Sequence, residues 1–352
     1  MDKNLRKFLC VFAVAALFSC SRPASYMTVT GFAQGGTYAV KFNMEGVGVS
    51  PEEIRDSVDA LLQNIDNSLS GYNRKSLLSC FNSGETIVPD ALFKEIYGRA
   101  FEIFDSTGGA VDAASAPLFD IWGFGFANDS LPSYDAVREV MQHCGMSRLR
   151  RDMDEALSED GSLDPADLLN APGTLPELNY NAIAQGYSCD VVARYLYSIG
   201  VKDMLVDIGE IFCDGVNPSG RPWTLGIDRP ADGNNQPGAH IQGVFRAPKG
   251  PHGIVTSGNY RKFYMRDGKK YAHTIDPRIG YPVEHTLLSA TVVAPDATIA
   301  DAYATYCMVI GLEASRLFIS SHPDLEACLI YDDGGEFRTW CSDGFILESG
   351  EI

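Results

Sequence analysis

The sequence lacks the local motifs that identify several common enzyme classes. It contains no GxSxG nucleophile elbow, no Walker phosphate loop, no GxGxxG dinucleotide fingerprint and no HExxH zinc helix. It also lacks internal repeats and any CxxC pair with metal-ligand spacing. No single motif therefore assigns a function, and a site must be sought in residues combined from distant segments.

Positive charge is scarce. The 352 residues include 28 Lys and Arg against 46 Asp and Glu, which gives a formal net charge of −18 at pH 7. This excess of acidic groups argues against nucleic acid or anionic lipid as a partner. An anionic ligand such as a dinucleotide would therefore need local neutralisation by a metal ion, a helix N-terminus or backbone amides.

The N-terminal region has an apolar run, Phe8–Phe18, that is too short to span a bilayer. Basic residues precede this run and Ser19-Cys20 follows it, a pattern typical of a bacterial lipoprotein signal. We expect residues 1–19 to be a cleaved signal peptide and lipidated Cys20 to anchor an exported protein to a bacterial membrane, facing the periplasm. A plain signal peptide with an incidental cysteine is the alternative.

The rest of the chain is predicted to contain a tether over residues 20–29 and a single domain over residues 30–345. Its cysteines show no pairing pattern. We interpret them mainly as small buried hydrophobic residues and leave disulfide formation open. These scattered cysteines are Cys80, Cys144, Cys189, Cys213, Cys307, Cys328 and Cys341.

Periodic patterns predict both helices and antiparallel strands. Ser50-Pro51-Glu52-Glu53 has the N-cap, first-turn proline and capping-box glutamate of a helix start. Because helical and hairpin patterns are largely segregated, the prediction is an α+β fold with an antiparallel sheet core flanked by helices. The polar stretch Met153–Pro176 is interpreted as a surface excursion. Further helices are expected at 90–105, 134–143, 182–199, 298–310 and 313–321, and strands at 204–208, 223–227, 240–245, 253–256, 262–265, 271–275, 287–293 and 327–331.

Asp301 and Thr305 form a candidate metal site. Their i, i+4 spacing places a carboxylate and a hydroxyl on one face of a helix, and such oxygens suit Mg²⁺. The alternative is structural: Thr298 as the N-cap, with Asp301 three residues later, resembles a capping box.

Two other segments carry weaker signals. His273, followed by an Asp-Pro turn, is a candidate general acid or base, although an isolated histidine near a hairpin is often structural. Thr256–Tyr260 offers hydroxyls and a flexible backbone for phosphate, and an ordinary turn is its alternative. The helix start after Asn179 is a candidate anion site, and simple N-capping by Asn179 or Asn181 is its alternative.

In order along the chain, these segments resemble the ApbE family of FAD:protein FMN transferases, from about Gly35 to Trp340. The similarity covers nearly the whole predicted domain and depends on the order of many short matches. The matching segments are Gly35-Gly-Thr, Asp66-Asn-Ser-Leu-Ser-Gly-Tyr72, Ala110-Val-Asp112, Trp122-Gly-Phe-Gly125, Ala182-Ile-Ala-Gln-Gly-Tyr187, Asp207-Ile-Gly-Glu210, Thr256-Ser-Gly-Asn-Tyr260, His273-Thr-Ile-Asp-Pro277 and Ala300-Asp-Ala-Tyr-Ala-Thr305.

The resemblance implies an ApbE-like flavin transferase fold and a Mg²⁺-dependent reaction. FMN would pass from FAD to a Thr or Ser hydroxyl of an acceptor protein, such as a membrane redox subunit, with release of AMP. By position, Asp301, Thr305 and the Ala182 carbonyl would hold Mg²⁺, and His273 and Asp301 would be the catalytic residues. The implied FAD contacts are Gly35, Tyr72, Ala110, Val111, Asp112, Asn179, Gln185, Ser257, Gly258 and Ile275.

The sequence departs from the family pattern in places. Gln185 stands where many members have Lys, Asn179 replaces a common Asp, and Gly35 stands where Met often begins the first motif. The segment from Asp207 to Glu210 is one glycine shorter than usual. Two alternative functions remain open: hydrolysis of FAD to FMN and AMP, and FAD binding by a lipoprotein without turnover.

Overall fold

A computed structural model describes residues 25–124, 131–231, 234, 238–259, 263–266 and 269–349. The predicted signal peptide and Cys20 lie outside the described residues. The first strand begins at Tyr26, so folded structure starts before the predicted domain boundary at residue 30. Residues 26–29 of the predicted tether therefore belong to the sheet.

The centre of the fold is an eight-stranded, fully antiparallel sheet with the order β1-β2-β3-β4-β7-β12-β13-β14. A three-stranded sheet, β15-β6-β5, and the hairpins β8-β9 and β10-β11 complete the strands of the described residues. The strands are β1 Tyr26–Ala33, β2 Gly36–Asn43, β3 Met204–Asp207, β4 Ile211–Asp214, β5 Thr224–Asp228, β6 Ile241–Arg246, β7 His252–Gly258, β8 Phe263–Arg266, β9 Lys269–Ala272, β10 Ile275–Asp276, β11 Tyr281–Pro282, β12 Leu287–Ala294, β13 Glu326–Asp333, β14 Glu336–Cys341 and β15 Leu347–Glu348.

Helices form a layer on one face of this sheet, as expected for the predicted α+β class. None of the described helices is long and apolar enough to cross a membrane. They are α1 Pro51–Leu69, α2 Leu77–Asn82, α3 Ala91–Ser106, α4 Ala116–Ile121, α5 Tyr134–Met141, α6 Ala184–Ser198, α7 Ala297–Ile310 and α8 Leu312–Ser320, with short 3-10 turns at Met146–Arg148, Asp154–Ala156 and Pro165–Leu168.

The central strands are covered on both faces. On β13, Ala327 and Leu329 pack in the cluster beneath α7, whereas Cys328 and Ile330 pack towards the three-stranded sheet. This two-sided burial explains the continuous apolar run in β12, because neither face of that strand meets water. The result is three layers: helices, the large sheet and the small sheet.

Local sequence signals place several helix ends correctly. Ser50 caps α1 through a capping box in which its side chain accepts from the Glu53 N–H. Asp90 caps α3, and Gly108 and Gly109, both with positive φ, follow the end of that helix.

Other local predictions are wrong. The stretch Met153–Pro176 is more than a surface excursion, because Met153, Leu163 and Leu168 are buried in the main core. Leu163 also pairs with Ile87 in an isolated β-bridge, so this segment is tied to the body of the domain. Its polar composition concealed the few apolar residues that anchor it.

Candidate active site

A cavity of about 410 Å³ lies where α7, the start of α6, the end of β7 and the β10–β11 hairpin meet. Most of the predicted site residues line it: Tyr72, Ala110, Val111, Asp112, Asn179, Ala182, Gln185, Ser257, Gly258, His273, Ile275, Asp301 and Thr305. Gly35 does not line it. Gly35 lies in the turn between β1 and β2, where its φ of 79° favours glycine, and the neighbouring Gln34 side chain donates to Ser188 on α6.

Helices α6 and α7 approach closely beside the cavity. A Cβ atom on Gly186 would lie 2.2 Å from the Ala297 carbonyl oxygen and 2.9 Å from the Asp301 Cβ, so a larger residue would separate the helices. The Gly186 N–H donates to Asp301 Oδ2 over 3.1 Å. Glycine at this position therefore brings the Asp301 carboxylate against the first turn of α6.

The same hydrogen bond leaves the Ala182 carbonyl available. Helix α6 begins at Ala184, two residues later than predicted, and the N–H four residues after Ala182 belongs to Gly186. That N–H donates to Asp301 instead, and among the described residues no donor reaches the Ala182 oxygen. A cavity-lining carbonyl without a protein partner is suited to a cation.

Two carboxylates accept hydrogen bonds from the backbone N–H groups in the first turn of α7. Asp296 is the N-cap and accepts from the Ile299 N–H over 2.7 Å. Asp190, from α6, accepts from the Ala297 N–H over 2.9 Å and from the Thr298 N–H over 2.8 Å, and also from the Thr298 hydroxyl. The prediction of Thr298 as the N-cap is wrong, because its hydroxyl points to Asp190 rather than to its own helix. The start of α7 is thereby fixed against α6.

The Asp301 carboxylate is buried. Among the described residues, the Gly186 N–H is its hydrogen-bond donor. Burial raises its pKa well above the ordinary value; the Gly186 hydrogen bond opposes this rise and the negative charge of Asp190 adds to it. Thr305 lies one turn further along α7, with its hydroxyl 3.3 Å from the Ser257 hydroxyl. Asp301, Thr305 and the Ala182 carbonyl thus offer a carboxylate, a hydroxyl and a carbonyl oxygen, a donor set that fits Mg²⁺.

The cavity contains few charges that would attract an anion. None of its described lining residues is Arg or Lys, whereas Asp112, Glu210 and Asp301 all contribute to the wall. The described residues also contain no group of three or more His, Cys, Asp or Glu that could hold a metal ion. A metal here would therefore complete its coordination with ligand or water oxygens, and it would supply the positive charge that the protein lacks.

His273, two residues before β10, and Ile275 on β10 both line the cavity. Asp276 follows and forms a bidentate ion pair with Arg278, with N–O distances of 2.9 and 2.8 Å. The Trp122 indole N–H donates to the Gly280 carbonyl over 2.8 Å, which fixes the far side of the turn. His273 lies edge-on to the Phe124 ring, with 6.4 Å between the ring centroids.

Asp112 and Asn179 also line the cavity, and both accept hydrogen bonds from nearby backbone N–H groups. Asp112 Oδ1 accepts from the N–H groups of Ala114 and Met146, over 2.8 and 3.1 Å. Burial raises the pKa of Asp112 to about 6, and these hydrogen bonds oppose the rise. Asn179 accepts from the Asn181 N–H over 2.8 Å in a local turn. Neither asparagine caps α6, so that alternative is wrong.

Gln185 supports the turn between β3 and β4. Its side-chain N–H donates to the Ile208 carbonyl over 3.2 Å. A Cβ atom on Gly209 would lie 2.5 Å from the Gln185 side chain, and Gly209 has a φ of 89°. The turn therefore requires glycine, and it carries Glu210 into the cavity wall.

Several lining residues were not predicted as site residues. Glu210, Phe124 and Thr256 occur in segments that carried the family resemblance, so their positions offered a signal. Phe119, Met308 and Val309 gave none, because an apolar residue facing a cavity has the same sequence pattern as one in the core.

Comparison with known proteins agrees with this geometry. The sequence profile of the ApbE family matches residues 34–329. A FAD:protein FMN transferase from Salmonella typhimurium is 30% identical over 98% of this chain and 97% of its own length. One from Escherichia coli K12 is 31% identical over 83% of this chain and 81% of its own length.

Solved structures agree as well. The flavin transferase ApbE from Vibrio cholerae superimposes with a TM-score of 0.74 at 28% identity, covering 91% of this chain and 98% of its own. The apo flavinyl transferase ApbE from Pseudomonas stutzeri gives a TM-score of 0.75 at 29% identity, covering 91% and 95%. The chain belongs to the ApbE family.

Proposed function

We propose that this protein is a flavin transferase that moves FMN from FAD to a Ser or Thr hydroxyl of an acceptor protein and releases AMP. The observation that carries the proposal is the set of three oxygen donors in the cavity, where none of the described lining residues is Arg or Lys. Asp301, Thr305 and the Ala182 carbonyl would hold Mg²⁺, and the ion would supply positive charge at the FAD pyrophosphate.

The protein groups would perform the remaining steps. A His273 ring nitrogen accepts the proton of the acceptor hydroxyl as the hydroxyl oxygen attacks the FMN phosphorus. The bond between that phosphorus and the bridging oxygen breaks, and its electron pair leaves with AMP. Ser257 and Gly258, at the end of β7, would lie near the phosphates, and Tyr72, which is 70% exposed at the cavity, would contact the flavin.

The same site also suits hydrolysis, with water in place of the acceptor hydroxyl. Acceptor transfer is favoured because His273 lies in a cavity whose wall includes the largely exposed Tyr72, so part of the cavity wall meets the solvent from which an acceptor would approach. Binding without turnover is disfavoured, since storage of FAD requires neither a base nor a buried carboxyl group beside other oxygen donors.

The test uses the full chain with FAD, Mg²⁺ and a candidate acceptor protein, followed by intact mass and AMP release. We expect the acceptor to gain one FMN. Asp301→Ala should lower the rate by roughly 10²–10³-fold, because a metal supplies several kcal/mol of charge stabilisation. His273→Asn should lower it by roughly 10²–10⁴-fold while FAD still binds. Asp343→Ala, at an exposed position, is the matched control.

AMP and free FMN without labelled acceptor would replace the transferase with a pyrophosphatase. Tight FAD binding without AMP would leave a binding protein. Wild-type rates in Asp301→Ala would remove the metal site from the mechanism.

We further propose that the protein is exported and anchored through lipidated Cys20, with its cavity facing the periplasm. Cell fractionation of wild type and Cys20→Ser tests this. The wild type should be found in the membrane fraction, and the variant should be released or retain its signal peptide.

A further inference from the structure

Two cysteines lie directly opposite each other at the edge of the central sheet. Cys328 on β13 is the register partner of Cys341 on β14, and β14 is an edge strand of the eight-stranded sheet. All the cysteines of the described chain are free thiols.

The hydrogen-bond pattern identifies the type of pair. The neighbouring residues Ala327 and Ser342 form a hydrogen-bonded pair, in which the Ser342 N–H donates to the Ala327 carbonyl over 2.9 Å. Because the two types alternate along an antiparallel ladder, Cys328 and Cys341 form a non-hydrogen-bonded pair. In such pairs the Cα atoms are about 4.5 Å apart and the side chains are closest. This separation lies within the range of about 4.4–6.8 Å that a disulfide requires.

Cys213 lies too far from Cys328 to form the same link. It packs in the same apolar cluster but lies on β4, which β7 and β12 separate from β13. Three strand spacings amount to about 14 Å, twice the Cα distance that a disulfide can bridge. Cys328 is fully buried and Cys341 partly exposed, so an oxidant would reach the pair through Cys341.

We propose that Cys328 and Cys341 form a cross-strand disulfide when the protein meets an oxidising environment. Two S–H bonds break and one S–S bond forms. The two electrons and two protons pass to an oxidant of the disulfide class, such as oxidised glutathione or a thiol-disulfide oxidoreductase, which is reduced to two thiols. The bond closes a short loop between β13 and β14 and holds the edge strand in register.

The disulfide is separate from the proposed active site. Cys328 faces the small sheet, whereas Ala327 and Leu329 on the same strand face α7, which carries Asp301 and Thr305. Oxidation should therefore leave FMN transfer unchanged, so failure of the disulfide and failure of the transferase proposal are independent results.

The experiment equilibrates the full chain with oxidised or reduced glutathione, traps free thiols with a maleimide under denaturing conditions, and maps the peptides by mass. In the oxidised sample we expect Cys328 and Cys341 to be linked and protected from the maleimide. The melting temperature should rise by roughly 2–5 °C relative to the reduced sample. Cys213→Ser is the matched control and should retain the link and the rise, while Cys341→Ser should lose both.

Full alkylation of both thiols at the most oxidising ratio would overturn the proposal, and so would a link between other cysteines. A link without a rise in melting temperature would contradict the stabilising role. The comparison of oxidised and reduced wild type needs no variant, so a variant that fails to fold does not affect the result.

Discussion

Asp112 shows how one buried side chain in the cavity wall couples stability to pH. Its pKa of about 6 lies above the ordinary value of 3.8, because burial penalises the carboxylate more than its two hydrogen bonds stabilise it. The stability contribution is fully present below pH 3.8 and is lost as the pH rises through about 6. We expect the ligand-free wild type to lose roughly 2–3 kcal/mol of unfolding free energy across this window relative to Asp112→Asn.

Asparagine is a matched replacement, because both backbone N–H groups bond to Oδ1, an atom that an amide oxygen can replace. The measurement is chemical denaturation of both proteins at several pH values between 3.5 and 7. A constant difference across that range would show that Asp112 titrates normally in the folded protein.

At the scale of elements, the packing of α6 against α7 determines whether the oxygen donors converge. The donors occur on two segments, and Gly186 is the residue at which the helices touch. We expect Gly186→Ala to destabilise the protein by roughly 1–3 kcal/mol, because the new methyl group would push against the Ala297 carbonyl. Apparent Mg²⁺ affinity should also fall at least about 10-fold, since the separation moves Asp301 away from Ala182.

Gly98→Ala in α3 is the control for the helix-propensity effect, because a Cβ atom there meets nothing within 4 Å. That change should stabilise the protein by roughly 0.5–1 kcal/mol. Thermal unfolding and Mg²⁺ titrations of both variants check the prediction. Wild-type values for Gly186→Ala would mean that close contact between the helices is not needed.

At the scale of the whole molecule, an acidic chain must bind an anionic dinucleotide. With no Arg or Lys among the described lining residues, FAD affinity should depend on Mg²⁺. We expect chelation of Mg²⁺ to weaken FAD binding by at least about 10-fold, because the pyrophosphate would then face buried carboxylates without a counter-ion. Flavin fluorescence titrations with and without EDTA measure this effect.

Riboflavin provides the matched ligand for this experiment, since it has the flavin ring but no phosphate. Its affinity should not change with Mg²⁺. Equal sensitivity of FAD and riboflavin to EDTA would show that the metal acts on the fold rather than on the phosphates.

The amino-acid sequence by itself determined the features that depend on interactions between residues close together in the chain. Helix starts at Ser50 and Asp90, the α+β class and the i, i+4 pairing of Asp301 with Thr305 all follow from local spacing. The ordered motifs were sufficient to indicate the ApbE family, and the profile match over residues 34–329 confirms that prediction. Local rules succeed here because capping and periodicity involve residues within one or two turns.

Only the tertiary structure decided the rest. Asp190 reaches across from α6 to the first turn of α7, and the sequence favoured Thr298 as a cap because it could not reveal this distant acceptor. The diversion of the Gly186 N–H from Ala182 to Asp301 likewise joins residues 115 positions apart. The partnership of Cys328 with Cys341 depends on strand register, which the scattered cysteine positions leave undefined. These features arise from contacts between separate elements, which the packing of the folded chain fixes and the spacing of residues along it does not.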